Sequence, residues 1–226
     1  FVVVGGGPAD YEAEIKAGVT EAVESALQVF ARDGYHGANL EDIANQAGYS
    51  KGAVYSNFDG KAELFLAVMD RNLAAVQGAF DPFAPLTPGR DTVYHGPDDL
   101  AELMRGMGLA TLEFIATAAR DELLAPALGQ RVERLLDLYR EVAADAPAAE
   151  EPLGAERVGV LLAALDQGVA LLALSGIEVA DAALLRTGLR RLLDPARALA
   201  AGPVEDDGGP PALHDRMLQR RLHDLP

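Results

Sequence analysis

Residues 50–61 hold an ammonium, a phenol, a hydroxyl, a carboxamide and a second ammonium on Lys51, Tyr55, Ser56, Asn57 and Lys61, with Gly52 and Ala53 between them. The set has no nucleophile with a base beside it and no metal-ligand spacing. Its chemistry is that of hydrogen bonding to nucleic acid. Asn57 can pair bidentately with adenine, Lys51 can donate to guanine, and the Ala53 methyl can meet a thymine methyl, with Gly52 and Ser56 completing the base-reading set. Tyr55 and Lys61 suit phosphate positioning, and backbone N–H groups near Asn39 and Ser50 can join them.

The elements that must carry these groups are legible around a Gly-Tyr-Ser break. Leu40, Ile43, Ala44 and Ala47 make a helical stripe of about two turns. Asn39 is placed to cap it, and Gly48 permits the left-handed turn that ends it. Ser50 is a good N-cap for a following helix with Val54 and Phe58 inward and residues 51–53 and 55–57 outward. Two short helices so joined form a helix-turn-helix, whose second member suits a major groove.

Several elements in order resemble the TetR (tetracycline-repressor) family of one-component transcriptional regulators: Leu27-Gln-Val-Phe30 with Gly34-Tyr35, Asp42-Ile-Ala44, Ala47-Gly-Tyr-Ser-Lys-Gly52, Tyr55-Ser-Asn-Phe58 and Lys61-Ala-Glu-Leu-Phe65. The match covers residues 19–70 well and the rest loosely. The resemblance implies three DNA-binding helices, a fourth that connects them to a ligand domain, and two last helices that form a four-helix bundle across a two-fold axis. A homodimer on a palindromic operator and a small-molecule effector follow as expected partners, with no cofactor. Release of DNA by the effector, hence derepression, is the implied sign.

Charge argues the other way. The chain of 226 residues carries a net −16, and through Gly78 five basic residues face eleven acids, a net −6. Where family members often carry a basic arm, Asp10-Tyr-Glu-Ala-Glu14 stands. Few neutralised phosphates mean weak non-specific affinity and a shallow salt dependence. A ligand-binding or interaction protein with weak or lost DNA binding is therefore the alternative.

Composition is that of an all-α, cytoplasmic protein with a sizeable core, half of its residues being hydrophobic. The absence of cysteine excludes disulfides, thiol catalysis and thiolate metal sites. His36, His95, His214 and His223 fall in expected turns or the tail, and Gly5-Gly-Gly7 lacks a completed dinucleotide pattern, so neither metal nor catalytic residues are expected. Phe1–Pro8 does not read as a signal peptide, and residues 1–10 are expected to be a flexible extension. Val158–Ile177 is long enough to span a bilayer, but Asp166 near its centre would cost about 2.5–3.5 kcal/mol there, so a buried helix is expected and no membrane.

A helix-turn-helix DNA-binding domain is expected over residues 11–60, opening with a helix from near Tyr11 to Asp33 with Ile15, Val19, Val23, Leu27 and Phe30 inward and Gly34 as its stop. A helical ligand-binding and dimerisation domain then spans 61–201, its connecting helix being 61–78. Within it a loop runs to Gly96-Pro97, and helices follow from Asp98, over Leu123–Val142, over Ala155–Ser175, and from Asp181 to Leu193, where Asp194-Pro195 ends the last. Residues 202–226 read as a disordered tail, within which 213–225 could dock as a short helix. Met104, Met107, Thr111, Phe114, Tyr139 and Asp166 are candidate ligand contacts, and Glu113-Phe114 with Arg120-Asp121 resembles a recurrent family segment. Leu161, Leu165, Gly168, Leu172, Leu189 and Leu192 are expected at the dimer interface, where small residues let helices approach.

Overall fold

Gly34 takes φ 73 and ψ 173 inside the first helical stretch, α1 (Pro8–Gly37), so regular helix stops there and a short kinked turn follows. The computed structural model describes residues 8–76, 81–83, 97–145, 153–176 and 181–202. Helix α1 starts three residues before Tyr11 and takes in the end of the segment expected to be flexible; residues 1–7 lie outside the described ones. Next come α2 (Leu40–Gln46), α3 (Lys51–Tyr55) and α4 (Lys61–Val76). After them follow α5 (Pro97–Ala118), α6 (Ala125–Asp145), α7 (Ala155–Leu174), α8 (Ala182–Leu193) and α9 (Pro195–Ala201). Every regular element among the described residues is a helix.

The short helices are set by their caps. Asn39 Oδ1 accepts from the Asp42 N–H at 2.9 Å, and Ser50 Oγ accepts from the Ala53 N–H at 3.2 Å. Gly48, at φ 73, supplies the left-handed residue between them. At the far end Asp194 does not simply end α8. Its side chain accepts from the Arg197 N–H at 2.9 Å and Pro195 stands in the first turn of α9. Proline stops one helix and is pre-set to begin another, and here it does the second as well as the first.

Burial divides into two clusters. The first joins Ala26, Val29 and Phe30 of α1, Ile43, Val54, Phe58, and Leu64, Phe65 and Val68 of α4 to Met107, Ala110, Phe114 and Ala118 of α5. In it Phe65 and Phe114 stack at 4.6 Å, and Tyr35 meets Phe114 edge-on at 5.1 Å. The helix-turn-helix unit thus shares its core with α5. Helix α1 buries Ala22, Ala26 and Val29 beside Val23 and Phe30, while Val19 and Leu27 of the expected stripe are only partly buried. The second cluster packs Leu138, Tyr139 and Ala143 of α6 against Val158, Leu162 and Val169 of α7 and Leu185, Leu189 and Leu193 of α8.

Two glycines let helices cross closely. A Cβ on Gly106 would collide with the Ala31 carbonyl of α1, and one on Gly159 would stand 2.7 Å from the Arg140 backbone of α6. Helix α7 has 20 residues and a mean hydropathy of 1.7, enough in length and composition to cross a membrane. One side of it, including Val158, Leu162, Asp166, Val169 and Ala173, is buried within the chain.

Candidate nucleic-acid interface and the cavity behind it

Helix α3 buries Val54 and holds its other side chains outward: Lys51, Gly52, Tyr55, Ser56 and Asn57 are exposed, and Ala53 is half-buried. Tyr55 is 49% exposed, leaving its phenol open to solvent. The Asn57 amide donates to the Ala53 carbonyl at 2.8 Å, and the Ser56 hydroxyl donates to the same oxygen at 2.8 Å. Both side chains thus lie folded on the C-terminal end of α3, and a base edge must compete with that carbonyl for them. Asn39 is exposed beside them, its Nδ2 donating to Asp42 Oδ2 at 2.5 Å. A polar cleft of about 350 Å³ separates α2 from α3, lined by Asn39, Glu41, Asp42, Asn45, Lys51 and Tyr55.

The two lysines differ. Lys51 Nζ pairs with Glu41 Oε2 at 3.2 Å, and the carboxylate holds the ammonium above its ordinary value. Lys61 does not stand free at the start of α4 for a phosphate, as its position suggests. Its Nζ donates to the His36 carbonyl at 3.1 Å and the Ala38 carbonyl at 2.9 Å and lies 4.9 Å from the Tyr35 ring centroid. Burial lowers its pKa. Lys61 is therefore first a strap on the turn between α1 and α2.

That turn is also gripped from α5. Glu113 Oε2 accepts from the His36 N–H at 3.0 Å, and Thr117 Oγ1 lies 3.4 Å from His36 Nε2. The sequence offered Glu113 as part of a recurrent segment without showing what it touches.

Behind this contact, α4, α5, α6 and α7 line a mostly apolar cavity of about 310 Å³ that is partly open to solvent. Of the candidate ligand contacts, Met107, Thr111, Tyr139 and Asp166 line it. Met104 is half-buried away from it, and Phe114 sits in the first core cluster. The physical reason lies in helical phase. Positions 107, 111 and 115 share one face of α5, so Ile115 reaches the cavity and Phe114 turns toward α1 and α4. Met69, Asn72, Leu73, Arg131 and Gln167 complete much of the wall, all missed in the sequence because they converge from separate helices. Arg131 is held by Asp70 at 2.7 Å, which ties α6 to α4, and the fully buried Asp166 accepts from the Gln167 amide at 3.1 Å. Among the described residues no His, Cys, Asp and Glu cluster could hold a metal.

On the opposite side of α7, Val160, Leu161, Leu171 and Leu172 are 40–50% exposed, and Leu184 of α8 is 56% exposed. Leu161, Gly168 and Leu172 lie on this open face, with Leu165 and Leu192 half-buried at its base. Leu189 does not: it is fully buried in the second cluster, because α8 turns that stripe onto α6 and α7.

Residues 22–68 match the family described as bacterial regulatory proteins, tetR family. The chain is 45% identical over 49 residues to the HTH-type transcriptional activator FasR of Mycolicibacterium smegmatis, covering 22% of each protein. It is 30% identical over 125 residues to the HTH-type transcriptional regulator CymR of Pseudomonas putida, covering 54% of this chain and 60% of that one. These matches span less than two thirds of either relative's length. A crystal structure from Mesorhizobium loti, described as a TetR-family transcriptional regulator, shares the fold at a TM-score of 0.52 and 20% identity over 84% of this chain and 98% of that one.

Proposed function

We propose that the chain, whose residues 22–68 match the tetR family of bacterial regulatory proteins, is a cytoplasmic, dimeric regulator of transcription whose affinity for an operator is changed by a small apolar or amphipathic effector. The observation that carries this reading is the double duty of α5. Met107, Thr111 and Ile115 line the cavity on one face, while Glu113, Phe114 and Thr117 hold Tyr35 and His36 on the other. A ligand that moves α5 at one site must move the reading helices at the second, which is the physical requirement for coupling.

Lys51, Gly52, Ala53, Ser56 and Asn57 read bases, Tyr55 positions phosphate, and Lys61 acts chiefly through the turn it straps. The open apolar face of α7 and α8 is the dimer contact, and two-fold pairing gives so short a reading helix two half-sites. Release of DNA on effector binding is the sign implied by the family resemblance.

The test begins with operator selected from fragmented genomic DNA. Asn57→Ala should relax preference at one base pair by about 1–3 kcal/mol, whereas Tyr55→Phe should weaken binding to all sequences alike. Wild-type affinity in both variants would remove α3 as the reader. The acidity of the surface and the engagement of both lysines favour one alternative, a ligand-binding protein with weak or lost DNA binding. Failure to bind any duplex at low salt would select it.

A further inference from the structure

Two acids stand in the first turn of α2, and they are used differently. Asp42 faces back on the cap, its carboxylate accepting from Asn39 Nδ2. Glu41 reaches across the cleft to the first residue of α3, its Oε2 lying 3.2 Å from Lys51 Nζ. Both members of that pair are more than half exposed, at 62% and 55%. Lys51 is the cation on α3, and Lys61 is committed to the His36 and Ala38 carbonyls. The ammonium best placed to meet a phosphate or a guanine edge therefore already carries a carboxylate partner.

We propose that Glu41 is a built-in competitor for DNA at Lys51, occupying the ammonium until a correctly placed phosphate or base acceptor displaces it. This rests on the reading that α3 meets DNA. The geometry suits displacement: an exposed single-contact pair is weakly held, so a DNA acceptor can replace the carboxylate without unfolding anything. The released Glu41 has the open polar cleft between α2 and α3 to turn into. DNA that presents no acceptor at the right place gains nothing from Lys51, since the exchange trades one ion pair for another of similar strength and leaves a carboxylate near phosphates. Glu41 thus lowers sequence-independent binding more than operator binding, and it acts as a positioning residue for Lys51.

The experiment uses a labelled random-sequence duplex two to three helical turns long, titrated by fluorescence anisotropy at several salt concentrations with wild type, Glu41→Gln, Lys51→Ala and the double variant. Glu41→Gln should tighten binding about two- to five-fold at low salt, the range of an exposed ion pair, and steepen the salt dependence by about 0.9 in log–log slope, one more phosphate neutralised. In the Lys51→Ala background the same change should have less than half that effect on a logarithmic scale. Equal gains with and without Lys51 would overturn competition and leave simple charge removal. Binding by wild type and Glu41→Gln with one affinity would overturn the proposal while the DNA-binding reading stands, and no binding by any of the four proteins would overturn both. Matching far-ultraviolet circular dichroism shows that the variants fold alike.

Discussion

Gly106→Ala should loosen the joint between the reading helices and the rest of the chain, and the structure sets the size of the effect. A Cβ on Gly106 would lie 2.8 Å from the Ala31 carbonyl carbon and 3.1 Å from its Cα, and closer still to the carbonyl oxygen. These are backbone atoms of α1, so no side-chain rotation relieves the contact, and α1 and α5 must separate. Overpacking of this kind costs about 1–3 kcal/mol. Alanine in a helix interior returns about 1 kcal/mol through propensity, yet separating two helix backbones also opens the Phe65–Phe114–Tyr35 cluster beside them. A net loss of about 2 kcal/mol lowers Tm by roughly 4–8 °C in a chain of this size. Gly129→Ala is the internal control. Gly129 sits inside α6, where an added methyl would have nothing within 4 Å, so the same substitution should raise Tm by up to about 4 °C. Scanning calorimetry or circular dichroism melting measures both. A Gly106→Ala protein as stable as wild type would refute the close α1–α5 crossing, and with it the rigid contact through which α5 is taken to act.

Two further outcomes follow from burial. Desolvation raises the Tyr35 phenol above its ordinary value, with Asp121 adding to it; the folded chain keeps a proton that the unfolded chain loses above about pH 10. That stabilisation is complete below the unfolded value and is lost as pH rises through the folded one, so urea titrations from pH 9 to 11 should show a steeper decline for wild type than for Tyr35→Phe; parallel declines would remove Tyr35 as the cause. Leu172→Arg, at a position 40% exposed, should give a folded monomer by analytical ultracentrifugation, whereas Leu189→Arg, fully buried in the chain's own core, should fail to fold; an undisturbed dimer in the first variant would place the interface elsewhere.

Local physics made the reading head legible in the sequence. Asn39, Gly48 and Ser50 act on residues within four positions of themselves, and the Val54 and Phe58 stripe needs only the helical period. What the sequence did not show concerns partners distant in the chain. Lys61 looked available because its two carbonyl acceptors lie 23 and 25 residues away. Phe114 and Ile115 are adjacent, and only the placement of α1 and α4 decides which one enters the core. Leu189 and Leu172 are equally apolar in the sequence, and the turn of α8 onto α6 and α7 separates them. Of the loop expected between Gly78 and Gly96-Pro97, residues 84–96 lie outside the described ones, as does the tail beyond Gly202.

The family resemblance implies a fourth helix that connects the DNA-binding helices to the ligand domain, and α4 stands in that place. The structure supports two levers acting on one residue. Lys61, at the start of α4, holds the His36 carbonyl, and Glu113, on α5, holds the His36 N–H. Both helices also line the cavity, α4 with Met69, Asn72 and Leu73 and α5 with Met107, Thr111 and Ile115. If His36 is a common anchor, cutting either grip frees the turn that the other grip would have held, and the two losses do not add. Lys61→Met keeps the side-chain stem and removes the donor; Glu113→Leu keeps most of the bulk and removes the acceptor. Measured by urea unfolding, the cycle through both variants should show an interaction of at least about 0.5 kcal/mol, the lower end for residues in one hydrogen-bonded network. Strict additivity, within about 0.3 kcal/mol, would mean that α4 and α5 hold the turn independently, and that His36 is not the point where their movements meet.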